Sequence, residues 1–241
     1  MASKDINYKK ENFKLSYEFV NPHKKEVILI LHGWGSNKEI MKQAFGSSLK
    51  EYKHIYVDMV GFGKSSTPSI VLETEDYASI INHFLEALQL TPKIIIGHSF
   101  GGKVGTLLAP PFLVLLSSSG ILVPKVFKVR AKIALFKFLK PFKLERLHQL
   151  FVSDDAKGMS HEMYETFKNV VNENFEDNFK NSQSEALLFW GKEDTATPLW
   201  SGEKMASLMD KSHFYPLEGD HFFFLKQSEF IAKTISQHTK G

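Results

Sequence analysis

Three separated positions in this chain carry residue types that together activate a hydroxyl. Ser99 stands in Gly97-His98-Ser99-Phe100-Gly101, after the apolar run Ile94-Ile95-Ile96 and before a segment, Lys103 to Ala109, of helical character. A serine between glycines on a strand-to-helix turn is held in a strained backbone conformation with its hydroxyl raised above the sheet. A serine hydroxyl is a weak nucleophile near neutral pH. It needs a general base within hydrogen-bond reach, and the base needs a third group to orient it. His221 and Asp194 supply both, each on a loop that follows an apolar strand: Leu187-Leu188-Phe189-Trp190 runs into Gly191-Lys192-Glu193-Asp194, and Leu217-Glu218-Gly219-Asp220 into His221. Glu193 and Asp220 are the neighbouring acids. Asp194 is preferred because its loop, four residues ahead of Pro198, is the better placed to approach an imidazole. Among the ten histidines, His213 reads as preceding its strand, His238 falls in the tail, and His98 cannot easily turn toward its neighbour Ser99. An oxyanion would be met by the backbone N–H of Phe100, beside the positive end of the following helix, and by that of Trp34 in His32-Gly33-Trp34-Gly35. The Trp34 and Phe100 side chains would wall the substrate pocket.

These residues need a frame that delivers them to one edge. Glu26 to Leu31, His54 to Val57, the Lys93 strand, 112–116, Ala186 to Trp190 and Phe214 to Leu217 read as strands. Most are apolar throughout, as strands buried on both faces are. Helical spacing over 38–50, Thr74 to Leu90 (with Thr74 as N-cap) and 222–238 alternates with them. Residues 13–20 alternate and suggest an edge strand. The pattern is that of an α/β protein with a mostly parallel sheet flanked by helices, in which ligand and catalytic groups collect at the strands' C-terminal ends. Between 120 and 184 the alternation stops and no clear strand occurs. That stretch is expected to form an inserted helical lobe, leaving 1–119 and 185–241 as the core. Within it, 121–150 hold eight lysines and arginines, Lys125 to Arg146, against Glu145 alone, while 151–184 are acidic on balance.

The 241 residues are 43% apolar, enough for one substantial core. A formal charge of +3 is too small to argue for nucleic acid. With no cysteine, thiol nucleophiles and Cys-ligated zinc are excluded. No secretory leader pattern and no apolar run of membrane-spanning length is read, so the expectation is a cytoplasmic chain without a transmembrane segment. Asp58 to Ser65 lacks the first glycine of a phosphate loop, Gly61-Phe62-Gly63 lacks the third glycine of a dinucleotide fingerprint, and no H-E-x-x-H or clustered ligand set appears. No metal and no cofactor are expected. Asp58 is expected to brace its loop.

Taken together, HGWG at 32–35, D-x-x-G-x-G-x-S at 58–65, GHSFGG at 97–102, G-x-x-D-x-x-x-P at 191–198 and G-x-H at 219–221 resemble the α/β-hydrolase superfamily over essentially the entire chain. The resemblance implies an α/β-hydrolase fold, residues 120–184 as a cap over the site, and ester hydrolysis through an acyl-enzyme with a catalytic triad: Ser99 attacks, His221 moves the proton, Asp194 orients the imidazole. Ser99 argues against the dehalogenase and epoxide-hydrolase branches, whose nucleophile is acidic. Hydrolases of carbon–carbon bonds in ring-fission products (2-hydroxy-6-oxo-dienoate type) carry Asn before the nucleophile and Trp after the histidine. This chain has His98 and Phe222 there. The HGWG loop is similar to carboxylesterases of the pimeloyl-carrier-protein methyl ester esterase type. That implies short to medium acyl ester substrates, and an acidic acyl carrier protein docking on the Lys125 to Arg146 stretch; a solvated basic helix face is the alternative. A weakly membrane-associating cap is a third reading, because Phe127, Leu135, Phe136, Phe138 and Phe142 interleave with the lysines. Phe136 and Phe138 are expected to line the pocket. Some proteins of this fold bind without turnover, but the complete set of Ser99, His221, Asp194 and both oxyanion elements argues for an enzyme.

Overall fold

A computed structural model describes residues 2–123 and 160–239. Strand β3 (Val27–Leu31) lies at the middle of a single eight-stranded sheet, and every one of its side chains is buried. Across the sheet the order is β1 (Ala2–Tyr8), β2 (Glu11–Val20), β4 (Lys53–Val57), β3, β5 (Ile94–His98), β6 (Phe112–Leu116), β7 (Glu185–Gly191), β8 (Ser212–Leu217). The six strands from β4 to β8 run parallel, and β1 and β2 are antiparallel to their neighbours.

Alternation along the central strands splits the core in two. Leu29, Leu31, Ile95, Leu113 and Leu188 face one layer, which holds α2 (Thr74–Ala87), α3 (Phe100–Leu107) and α6 (Leu199–Leu208). Ile28, Ile30, Ile96, Val114 and Phe189 face the other, formed by α1 (Lys38–Phe45) and α7 (Phe224–Thr239). Burying both faces of every central strand is what requires their unbroken apolar runs. After β3 the chain crosses to β4 on one side and later to β5 on the other. The crevice at this reversal lies beyond the C-terminal ends of β3 and β5, where His32 and Ser99 follow.

The structure corrects several sequence expectations. Residues 13–20 are not at the edge, because β1 covers them. Only Ile6 of β1 is buried, so the strand has almost no hydrophobic signature. It joins β2 through Lys9 and Lys10, both at positive φ (47° and 64°), a hairpin turn usually built from Asn and Gly. Glu73, not Thr74, is the N-cap of α2, its N–H donating to the Asp76 carboxylate at 2.9 Å. Helix α1 stops at Phe45, with the Gly46 N–H closing on the Lys42 carbonyl at 2.8 Å. Helix α3 begins at Phe100 rather than Lys103, and His213 lies inside β8 rather than before it.

Between β6 and β7 the described residues include α4 (His161–Asn172) and α5 (Glu176–Lys180). The basic stretch Lys125 to Arg146, with Phe136 and Phe138, lies outside the described residues. Helix α4 is fastened to the core. Lys103 of α3, fully buried, donates to the Val170 carbonyl at 2.9 Å and pairs with the Glu173 carboxylate, to which Thr74 Oγ1 also donates at 2.6 Å. Burial holds the Lys103 ammonium below the ordinary lysine range even though Glu173 pulls it up.

Candidate active site

Ser99 is the half-buried residue between β5 and α3, with φ 51° and ψ −114°. A non-glycine residue in that region is strained and persists where its surroundings over-determine it. They do so here. The Ser99 N–H donates to the Leu116 carbonyl at 3.0 Å, and its own carbonyl accepts from Gly102 N–H at 3.0 Å and Ser119 N–H at 3.1 Å. The turn also demands close approach. A Cβ on Gly101 would come within 2.6 Å of the His32 carbonyl oxygen, and one on Gly33 within 2.9 Å of His98 Nδ1 and 3.1 Å of Ser99 Cβ. These glycines let the loop after β3 press against the start of α3, bringing the Trp34 loop beside Ser99 and Phe100.

His32 locks that loop. Its Nε2 accepts from the Met59 N–H at 3.0 Å, so Nδ1 carries the proton and donates to the Gly33 carbonyl at 2.8 Å. Burial lowers its pKa and keeps it in this neutral form. Asp58 braces the adjacent loop as expected. It accepts from Lys38 Nζ at 2.6 Å and from the N–H groups of Lys38 and Lys64 at 2.7 and 2.9 Å.

His221 and Asp194 meet. His221 Nδ1 lies 2.8 Å from Asp194 Oδ2, with both residues buried. Asp194 Oδ1 accepts from the Ala196 and Thr197 N–H groups at 2.7 and 2.9 Å, and Oδ2 from Thr197 Oγ1 at 2.9 Å. Burial opposes ionisation of Asp194, but the His221 ring and the donors from Thr197 and Ser117 outweigh it and hold the carboxyl below the ordinary aspartate range. An ionised Asp194 fixes the tautomer of His221 with the proton on Nδ1, leaving the lone pair on Nε2.

Sequence reading missed Thr197, whose only signal is its place three residues after the acid, immediately before Pro198. Trp190 anchors the same loop, its indole N–H donating to the Thr197 carbonyl at 2.7 Å. His98, set aside as a base, is a brace. Its Nε2 lies 3.0 Å from the His221 carbonyl oxygen, to which it donates, and its ring centroid is 4.7 Å from that of His221. Burial, reinforced by His221, holds its pKa well below the ordinary histidine range, so it stays neutral.

Ser99, His98 and His221 share one cavity with Trp34, Phe100 and, from α4, Tyr164, Phe167 and Lys168. The Trp34 ring is wedged edge-on between Phe62 (4.8 Å) and Phe100 (5.5 Å) and also touches Phe167 of α4 at 5.4 Å. Much of the wall is therefore aromatic and apolar, and Lys168 and Glu173 also line it.

The family model for the alpha/beta hydrolase family matches residues 28–234, and the chain belongs to that family. It is a hydrolase enzyme on an α/β-hydrolase fold. Over an alignment of 256 positions, covering 93% of each chain, it is 25% identical to the uncharacterized hydrolase YugF of Bacillus subtilis (strain 168). Among solved structures it is similar to an esterase (EaEST) from Exiguobacterium antarcticum, with TM-score 0.78, 22% identity and all of both chains covered. It is also similar to a meta-cleavage product hydrolase (CumD) from Pseudomonas fluorescens IP01, with TM-score 0.77, 18% identity and 98% and 97% of the two chains covered. At these identities the likeness to solved structures speaks for the fold alone.

Proposed function

We propose that this hydrolase is a serine carboxylesterase acting on short to medium acyl esters. The observation that carries the proposal is the buried His221–Asp194 pair, whose His221 lines the same cavity as Ser99 on its strained turn. In this reading Ser99 Oγ attacks the ester carbonyl carbon while His221 Nε2 takes the hydroxyl proton. The carbonyl oxygen becomes an oxyanion held by the N–H groups of Phe100 and Trp34. As the tetrahedral carbon collapses, the bond to the alkoxide breaks and His221 returns the proton to it. Water then attacks the acyl-Ser99 ester by the same steps in reverse order, with His221 as base, releasing the acid and restoring the serine. Residues 120–184 act as a cap on a core of 1–119 and 185–241, a division supported by the α4 side chains that line the same cavity as Ser99.

The test is hydrolysis of p-nitrophenyl esters from acetyl to octanoyl by wild type and Ser99→Ala. Turnover by wild type, abolished in the variant, is expected. Turnover retained in Ser99→Ala, or absent from a folded wild type on every ester, would overturn the proposal. The carbon–carbon bonds of ring-fission products, weighed from the sequence, are the second substrate class. Cleavage of a 2-hydroxy-6-oxo-dienoate faster than of any ester would replace the first. An acidic carrier protein as partner is tested separately by titrating it against charge-reversed Lys128 and Lys132. Unchanged affinity and salt dependence would exclude it.

A further inference from the structure

Three residues far apart in the chain converge at the opposite edge of the sheet from Ser99. Glu185 opens β7, His213 lies near the start of β8, and His238 is in the last turn of α7. The parallel register pairs Leu187 with His213 and Phe189 with Tyr215. Because side chains alternate along a strand, Glu185, His213 and Tyr215 therefore stand on the sheet face that α7 covers. One ligand atom from each of Glu185, His213 and His238 lies within 4.8 Å of the other two. Two imidazoles and a carboxylate form the donor set of three-ligand zinc sites, in which water completes the shell.

The geometry points to a divalent transition-metal site at Glu185, His213 and His238, with zinc the ion its ligands suit best. His238 Nδ1 is 3.5 Å from Glu185 Oε1. That is longer than an N–H···O hydrogen bond. It is close to the edge of a tetrahedron whose metal–ligand bonds are about 2.0–2.2 Å, roughly 3.4 Å. His238 Nε2 lies 3.0 Å from the Tyr215 hydroxyl. With the Nε2 proton donated there, Nδ1 is left with its lone pair beside the carboxylate. This is the outer partner that a metal-binding imidazole requires to fix its tautomer. The His213 ring packs 4.6 Å from that of His238 and is exposed, so it can rotate the remaining distance. Glu185 and His238 are half-buried, which narrows their rotamer freedom before an ion arrives. A hard cation such as magnesium, which prefers oxygen ligands, would be a poor occupant. A bound ion would clamp the C-terminal helix to the last two strands, at a distance from the reacting groups.

The experiment is calorimetric titration of zinc chloride into the untagged, chelator-treated full chain, with thermal unfolding recorded in parallel. The expected result is one ion per chain and a higher melting temperature. Affinity should fall by about tenfold or more in His213→Asn and in His238→Gln, and by a smaller factor in Tyr215→Phe, with magnesium inert. Circular dichroism of each variant checks that it is folded. His221→Ala controls for zinc captured at the His221–Asp194 pair and should leave the isotherm in place. Zinc binding unchanged in both ligand variants, lost in His221→Ala, or absent in wild type would each overturn the assignment.

Discussion

Replacing Lys103 by methionine should loosen the segment above the cavity without touching Ser99. The Lys103 side chain is fully buried, and its ammonium meets the Val170 carbonyl, the Glu173 carboxylate and, 5.1 Å away, the Phe175 ring. Methionine fills most of the same volume, so the change reads polar interactions rather than a cavity. The Val170 carbonyl, in the last turn of α4, loses this buried donor, a loss of about 1–3 kcal/mol. Glu173 loses its countercharge but is 24% exposed and keeps the Thr74 hydroxyl. Its share therefore falls short of the ~3–5 kcal/mol for breaking a fully buried pair. Together these give a destabilisation of about 2–4 kcal/mol. For a chain of this size that lowers the melting temperature by roughly 5–15 °C. Because α4 carries Tyr164, Phe167 and Lys168 into the cavity, KM for esters should rise while kcat changes less. Thermal unfolding and steady-state kinetics on the variant are the assays. A melting temperature within about 1 °C of wild type, with KM unchanged, would refute the view that this buried pair fastens α4.

Three further outcomes follow from the site. His221→Ala should reduce kcat by on the order of 10⁴–10⁶, with Asp194→Ala costing less; a loss below about tenfold would mean that another residue is the base. Thr197→Val removes the hydroxyl 2.9 Å from Asp194 Oδ2 but leaves the two N–H donors to Oδ1, and kcat/KM should fall by about tenfold. An unchanged kcat/KM would show that the hydroxyl does not help to orient the acid. Because Asp194 is held below its unfolded value, its ionisation contributes stability above about pH 4 that is lost as the pH falls toward the folded value. Melting temperatures taken from pH 6 to 3 should decline less steeply in Asp194→Asn, and parallel curves would contradict this.

Legibility in the sequence followed burial. The central strands could be read because both their faces are covered, and Val27–Leu31 and Phe112–Leu116 accordingly carry no polar residue. Strand β1 was invisible because one buried side chain in seven leaves no pattern and its turn uses two lysines. Ser99, Asp194 and His221 were legible because each follows a strand end, and parallel strands deliver such ends to one edge. Thr197 and the bracing role of His98 were not, since both act through neighbours that only folding supplies. The same holds for Lys103. A lysine in an otherwise apolar helix reads as exposed until Glu173, seventy residues away, is brought against it. Glu185, His213 and His238 show no metal-binding spacing because strand register and a helix end, not a local motif, bring them together.

The central claim is that Ser99 forms a covalent acyl-enzyme. Intact-mass spectrometry after treatment with a fluorophosphonate, followed by peptide mapping, tests it directly. One adduct per chain on the peptide containing Ser99 is expected, absent from Ser99→Ala and strongly slowed in His221→Ala. Labelling at another serine, or equal labelling of wild type and Ser99→Ala, would contradict the account.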